Sequence, residues 1–122
     1  MIMGTTQEIG AKGEEAAVEY LLKEGFTLLH RNWRNGKYEL DIVARKRGII
    51  YFVEVKCRKK GGLTTPEDAI TERKFESLMR AATLYLAEYG IDLDSQFDMI
   101  AVEYDHNSID VKYVPCAMIP HW

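Results

Sequence analysis

Residues 38–58, YELDIVARKRGIIYFVEVKCR, constrain this chain more than any other stretch. Leu40, Ile42 and Ala44, then Tyr51, Val53 and Val55, alternate with their neighbours at the two-residue period of a β-strand. Arg47-Gly48 reads as a short turn, so the segment predicts a hairpin. With Lys46 opposite Ile49 across that turn, Val43 faces Phe52, Asp41 faces Glu54 and Glu39 faces Lys56. Opposed residues stand about 5 Å apart at Cβ, and a one-residue slip would send one set to the other face. The pairing predicts two carboxylates side by side with a lysine one step along.

Adjacent carboxylates both stay ionised only with a cation between them; otherwise one pKa rises. Lys56 could supply that charge, and so could a divalent metal, because hard ions such as Mg²⁺ take one or two carboxylates plus waters and phosphate oxygens. The plainer reading is a solvated ladder of charges on an exposed strand face. Against it, the same face continues into Val43, Ile50 and Phe52, so both faces of the hairpin are apolar at one end. Charges on such a central strand are expensive without partners or chemistry to perform.

The 122 residues suit one domain, 1–122, and 47% apolar with 29% charged residues suits a water-soluble globular fold. No apolar run reaches the length of a membrane span, and MIMGTTQE lacks the regions of a secretory signal. The expectation is a cytoplasmic protein with no membrane partner. Cys57 and Cys116 show no metal spacing and suit free thiols in a reducing compartment. A net charge of −3 argues against a nucleic-acid partner, but its distribution does not. From His30 to Lys60 there are ten Lys and Arg against three Asp and Glu; the rest of the chain has six against sixteen. A basic block around a carboxylate pair suggests a polyanionic substrate. Arg31, Arg34, Arg58, Lys59 and Lys60 are the candidate phosphate contacts, although charged turns often serve solubility alone.

Thr5-x-x-Glu8 reads as a capping box for a first helix running to about Glu24, with Gly25 just past its end. Glu14 shares the apolar face of Ala17, Val18 and Leu21; it either points into the protein or reaches water from the stripe edge. Gly10 and Gly13 weaken the helix and predict a close approach of another backbone or of phosphate. Phe26–Arg34 predicts a first strand, in which Trp33 is read as packing, and Asn35-Gly36 a turn. Thr65-Pro66 predicts the start of a second helix that runs to Tyr89 and ends at Gly90, after a basic loop from Arg58 to Thr65. Its inward stripe is Ile70, Lys74, Leu78, Ala81, Ala82, Tyr85 and Tyr89. Lys74 either snorkels over apolar surface or points at the same cluster as Lys56. Gln96–Tyr104 and Ser108–Val114 predict two further strands, and His106 and His121 show no ligand spacing.

The element order is thus αβββαββ. With Gly10-x-x-Gly13-Glu14-x-x-Ala17, Tyr20-Leu21, Arg31-Asn32-x-Arg34, Glu39-Leu40-Asp41-Ile42-Val43-Ala44, Phe52-Val53-Glu54-Val55-Lys56-x-Arg58, Pro66-x-x-Ala69 and Lys74, it resembles the PD-(D/E)xK nuclease superfamily. Within it, the chain looks like the YraN-like family of predicted endonucleases, over roughly residues 9–104. Leu40 replaces the proline of the superfamily name, and Tyr38 the glycine usual before the family's Glu-x-Asp.

The resemblance implies an α/β, restriction endonuclease-like αβββαβ core, a mixed central sheet flanked by helices, with one additional C-terminal strand. It implies Asp41, Glu54 and the Val55 carbonyl as ligands of Mg²⁺ or Mn²⁺, and Glu14 as a ligand of the metal or of a water on it. Lys56 would orient the attacking water or stabilise the transition state. Glu39 would serve as a cross-strand partner of Lys56 or support the cluster from behind, and Lys74 would join from the second helix. The expected activity is metal-dependent hydrolysis of phosphodiesters in nucleic acid, DNA above all, branched or processed intermediates included. The alternatives are a non-catalytic nucleic-acid-binding module on a nuclease fold, and an interaction protein recruiting a partner through a sheet edge or its acidic half. A homodimer stays open, since related junction-cleaving enzymes pair two sites on a two-stranded substrate.

Overall fold

Backbone chemistry at the turns sets the element order. The computed structural model describes residues 6–61 and 71–115, with side chains from residue 10 onward. Helix α1 (Thr6–Lys23) stops where Gly25 takes φ +90°, and the Phe26 N–H folds back to the Leu21 carbonyl. Strand β1 (Thr27–Asn35) turns at Gly36 into β2 (Tyr38–Lys46), which meets β3 (Ile49–Lys59) across Arg47-Gly48. Arg47 and Gly48 have φ of 51° and 77°, the two positive values of a type I′ turn, whose twist matches the flanking strands. A non-glycine residue there costs roughly 1–2 kcal/mol, yet the register is as the pattern predicts. Lys46 pairs with Ile49, Ala44 with Tyr51, Val43 with Phe52 and Ile42 with Val53.

Helix α2 (Glu72–Tyr89) then crosses over to β4 (Asp94–Tyr104), which runs parallel to β3, and β5 (Ile109–Val114) closes antiparallel on β4. The sheet order is β1-β2-β3-β4-β5. Thr5, the basic-loop residues 62–70 with Ile70, and the tail from Cys116 lie outside the described residues. The expected helix from Pro66 is corrected at one described position. Thr71 is extended, with φ −93° and ψ 164°, and its hydroxyl accepts the Lys74 N–H at 3.1 Å, so it caps a helix beginning at Glu72. A threonine oxygen satisfying a free first-turn donor outweighs the apolar spacing that extends the pattern further back.

Two cores sandwich the sheet. On one face α1 buries Ala17, Val18 and Leu21 against Phe26, Ile42, Ala44, Val53, Ile100 and Val102. On the other, α2 buries Leu78, Ala81, Ala82 and Tyr85 against Trp33, Leu40, Val43, Ile50 and Phe52. Tyr85 meets Trp33, Phe52 and His30 edge-on, contacts worth about 0.5–1.5 kcal/mol each beyond area burial. Trp33 is 6% exposed, a packing residue as read. Tyr89 ends the stripe 44% exposed. Among the described residues, no helix is long and apolar enough to cross a membrane.

Leu40 departs from the expected alternation. It lies in the α2 core, whereas Ile42 and Ala44 lie in the α1 core. The parity also breaks on β1, where His30 contacts Tyr85 and Trp33, three residues on, packs on the same side. Between them Asn32 has φ 51°, and the β1–β2 pairing lacks the partnership of Asn32 with Asp41. A left-handed residue rotates the chain locally, and a register shift between Leu28 and His30 adds a second irregularity to the same strand pair.

Candidate active site

This break in the pleat lies where the carboxylates gather. The β2–β3 ladder ends at Ile42–Val53, so Asp41 and Glu54 are not a ladder pair as expected; they flank the point where the strands part. Asp41 instead turns its side chain toward β3, and Oδ2 accepts the Val55 backbone N–H at 2.9 Å. In an extended strand the N–H and C=O of one residue point to the same side. The Val55 carbonyl is therefore directed to the Asp41 side, past the end of the ladder.

Glu54 lies on the α2 face and is 6% exposed. Two ammonium groups reach its Oε1: Lys74 Nζ at 3.4 Å from the first turn of α2, and Lys56 Nζ at 3.7 Å from β3 itself. Burial pushes the Glu54 pKa up, and the Asp41 charge pushes it further, against the pull of Lys74 and then Lys56. Burial raises Asp41 too; the Val55 N–H and Lys74 oppose it, and Glu39 adds to it. The cluster is thus two desolvated, mutually repelling carboxylates held by two lysines and one backbone donor.

Glu39 is not the partner of Lys56. It stands directly opposite Arg34 on β1 and pairs with it at 3.3 Å on the exposed surface. The parting of β2 from β3 removes Lys56 from its reach. Glu14 lies on the α1 side, where it accepts Asn32 Nδ2 at 2.8 Å and meets Arg31 Nε at 3.5 Å. Arg31 also holds Glu15 at 3.1 Å. Glu14 is one-fifth exposed, so neither buried inward nor free in water. Cys57 links the two sides. Its thiol pKa is raised by burial, then by Asp41 and Glu14, and it packs against Gly13, where a Cβ would collide with Sγ. That close approach explains Gly13; no heavy atom lies near a Cβ built on Gly10. Among the described residues, no group of three or more His, Cys, Asp and Glu is gathered to hold a metal ion. The side-chain carboxylates brought together are Asp41 and Glu54, with Glu14 apart from them.

The basic block is less bare than its charge count. Arg31 and Arg34 pair as above, and Lys60 pairs with Asp105 and Asp110 and donates to Ser108. Lys59 is exposed and Arg58 half-buried at the end of β3. Asn32, whose backbone bends β1 and whose amide holds Glu14, gave no periodicity signal. Asp98 is fully buried on β4 and accepts Tyr113 Oη and Gln96 Nε2. Its one sequence trace is a carboxylate between Phe97 and Met99 in a strand. An open groove of about 370 Å³ is lined by Tyr38, Met79, Arg80, Thr83 and Leu84, with none of the cluster residues.

A five-stranded mixed sheet between two helices, with a carboxylate–lysine cluster where two strands part, defines a mixed α/β domain of restriction endonuclease-like architecture. The chain belongs to the uncharacterised protein family UPF0102, whose family model matches residues 13–102. It is 36% identical over 118 residues to a UPF0102 protein of Phocaeicola vulgatus, covering 97% of this chain and 98% of the relative. A UPF0102 protein of Bacteroides thetaiotaomicron is 38% identical over 118 residues, with the same coverages. One from Oleidesulfovibrio alaskensis is 45% identical over 94 residues, which are 76% of this chain and 46% of that longer protein.

Proposed function

We propose that this protein is a metal-dependent nuclease of the PD-(D/E)xK type, akin to the YraN-like endonucleases, hydrolysing phosphodiesters of nucleic acid, DNA above all. The observation that supports it is the carboxylate cluster: Asp41 held by the Val55 N–H beside buried Glu54, with two lysines on one Glu54 oxygen. A structural ion pair needs one lysine and one carboxylate. Two desolvated carboxylates at an opening between strands are an expensive arrangement that a cation-using reaction repays.

The donors fit a hard divalent ion, since two carboxylates and a strand carbonyl are the oxygen set that Mg²⁺ or Mn²⁺ accepts. Asp41, Glu54 and the Val55 carbonyl would hold it, with Glu14 contributing from the α1 side once released from Arg31. Such an ion supplies Lewis-acid charge to a phosphodiester and lowers the pKa of a water. Lys56, one-third exposed beside Glu54, would orient the attacking water or stabilise the charge that develops on phosphorus oxygens. Lys59 and Arg58 would take flanking phosphates, with Arg31, Arg34 and Lys60 exchanging their protein carboxylates for them.

A second reading, binding without turnover, draws on Glu14, which Arg31 and Asn32 hold apart from the other carboxylates. Linear, flapped and four-way-junction DNAs with Mg²⁺ or Mn²⁺ separate the two. Cleavage that a chelator and Asp41→Ala both abolish supports the nuclease; retained binding with no cleavage of any substrate supports the module.

A further inference from the structure

Glu54 is a buried carboxylate whose charge, when it is ionised, needs a cation beside it. It is 6% exposed, and Asp41 adds a second negative charge beside it. Lys74 balances it from an unfavourable position. Its N–H is capped by Thr71, which places it in the first turn of α2, where the helix dipole disfavours a cation. The ammonium turns from the helix to Glu54 Oε1, at 3.4 Å against 3.7 Å for Lys56. Lys74 is 35% exposed and Lys56 34%, so either ammonium can reach water; what sets Lys74 apart is its shorter distance to Glu54 and its place on α2, an element separate from the strand that carries Glu54. Lys56 is part of β3, paired opposite Ala101.

We propose that the Lys74 ammonium is the stand-in cation of the metal-free site, and that a divalent metal binds Asp41 and Glu54 by displacing it. This rests on the nuclease reading for the identity of the ligand. The lysine and the metal are then competing ligands of one carboxylate, and by linkage each weakens the other equally. Lys74 keeps the two carboxylates from unfolding the sheet between loadings, and it sets the metal affinity lower than the carboxylates alone would.

The test is Mn²⁺ binding by titration calorimetry, with thermal denaturation in chelator and in saturating Mn²⁺, for wild type, Lys74→Met and Lys74→Arg. Lys74→Met should bind Mn²⁺ roughly five-fold tighter or more, the lower end of coupling between linked sites. In chelator it should melt below wild type, and saturating Mn²⁺ should close that gap. Lys74→Arg keeps the cation and should follow wild type in both measurements. If Lys74→Met fails to fold without metal, Lys74→Gln retains a donor toward Glu54 without the charge and carries the same comparison. Unchanged or weaker Mn²⁺ binding by the uncharged variant, with wild-type binding intact, overturns the displacement and leaves the nuclease reading standing. No Mn²⁺ binding by any of these proteins removes both.

Discussion

The Val55 backbone N–H donates to Asp41 Oδ2 at 2.9 Å, just beyond the last β2–β3 ladder pair, Ile42–Val53. A side chain here does what a strand carbonyl does elsewhere in the sheet. It satisfies a main-chain donor that the parting strands would otherwise strand, and in return the donor fixes the carboxylate beside Glu54. Continuity of the sheet and geometry of the cluster are therefore one interaction.

Asp41→Asn keeps an oxygen for the Val55 N–H and removes a negative charge. Asp41 and Glu54 both have folded-state pKa values raised above the ordinary 3.8 and 4.5. The native state then holds protons more tightly than the unfolded chain, and stability falls as pH rises from those ordinary values through the folded-state ones. Without divalent metal, the variant should melt a few degrees above wild type at neutral pH. The gap should shrink on acidification and close below the ordinary carboxylate values, where these groups are protonated in the folded and the unfolded chain alike. Calorimetry across the pH range checks this. An equal melting temperature at neutral pH would mean that the lysines fully offset the repulsion.

Lys56→Ala should leave the fold and divalent-metal binding in place, because Asp41 and Glu54 remain. Turnover should drop by about 10²–10⁴-fold, and affinity for an uncleavable substrate analogue should drop much less. A group acting on the attacking water contributes mainly in the transition state. Equal losses in rate and binding would place Lys56 in substrate binding alone.

Gly13→Ala inserts a methyl where α1 crosses Cys57 and Val102. Overpacking of this kind costs about 1–3 kcal/mol. Cys57→Ala in the same chain removes the colliding sulfur and should recover most of the loss. Urea denaturation of the two single variants and the double variant reads the coupling directly. Additive losses would show that the helix shifts away from the sheet and leaves Cys57 untouched.

Tyr113→Phe withdraws a donor from Asp98, a carboxylate with no exposed surface. A hydrogen bond to a charged group contributes about 1.5–3 kcal/mol, and the loss should loosen β5, the strand that Tyr113 ties to the sheet. Burial and then Asp98 raise the Tyr113 phenol pKa. Tyr85, whose phenol burial pushes up to about 12, and Tyr89 also ionise late, so a spectrophotometric titration of the variant should show one late-ionising tyrosine fewer than wild type, with those two retained.

Much of the fold is legible along the chain because it rests on local periodicity and local turn chemistry. The alternation in residues 42–55, Gly25 beyond α1, the Arg47-Gly48 turn and the Ala17-Val18-Leu21 stripe each depend on residues within one turn or one hairpin. Those features suffice for the element order and the β2–β3 register; the mixed sheet flanked by helices is what the resemblance implies. They also place Asp41 and Glu54 near each other, since a hairpin register brings together what a short turn connects.

What depends on distant segments was not legible. Glu39 pairs with Arg34 rather than Lys56, and the β2–β3 ladder ends at Ile42–Val53, short of both Glu39 and Lys56. Glu14 is held by Arg31 and Asn32, and Lys60 by Asp105 and Asp110, partners many residues away that a count of charges along His30–Lys60 leaves out. Helical spacing sets Lys74 on the inward stripe of α2 but leaves two directions for its ammonium; packing of α2 against the sheet selects Glu54. Periodicity orients a side chain relative to its own element. Which charge it meets there is decided by how elements far apart in sequence come together, because Coulomb energies depend on distance through space and on burial.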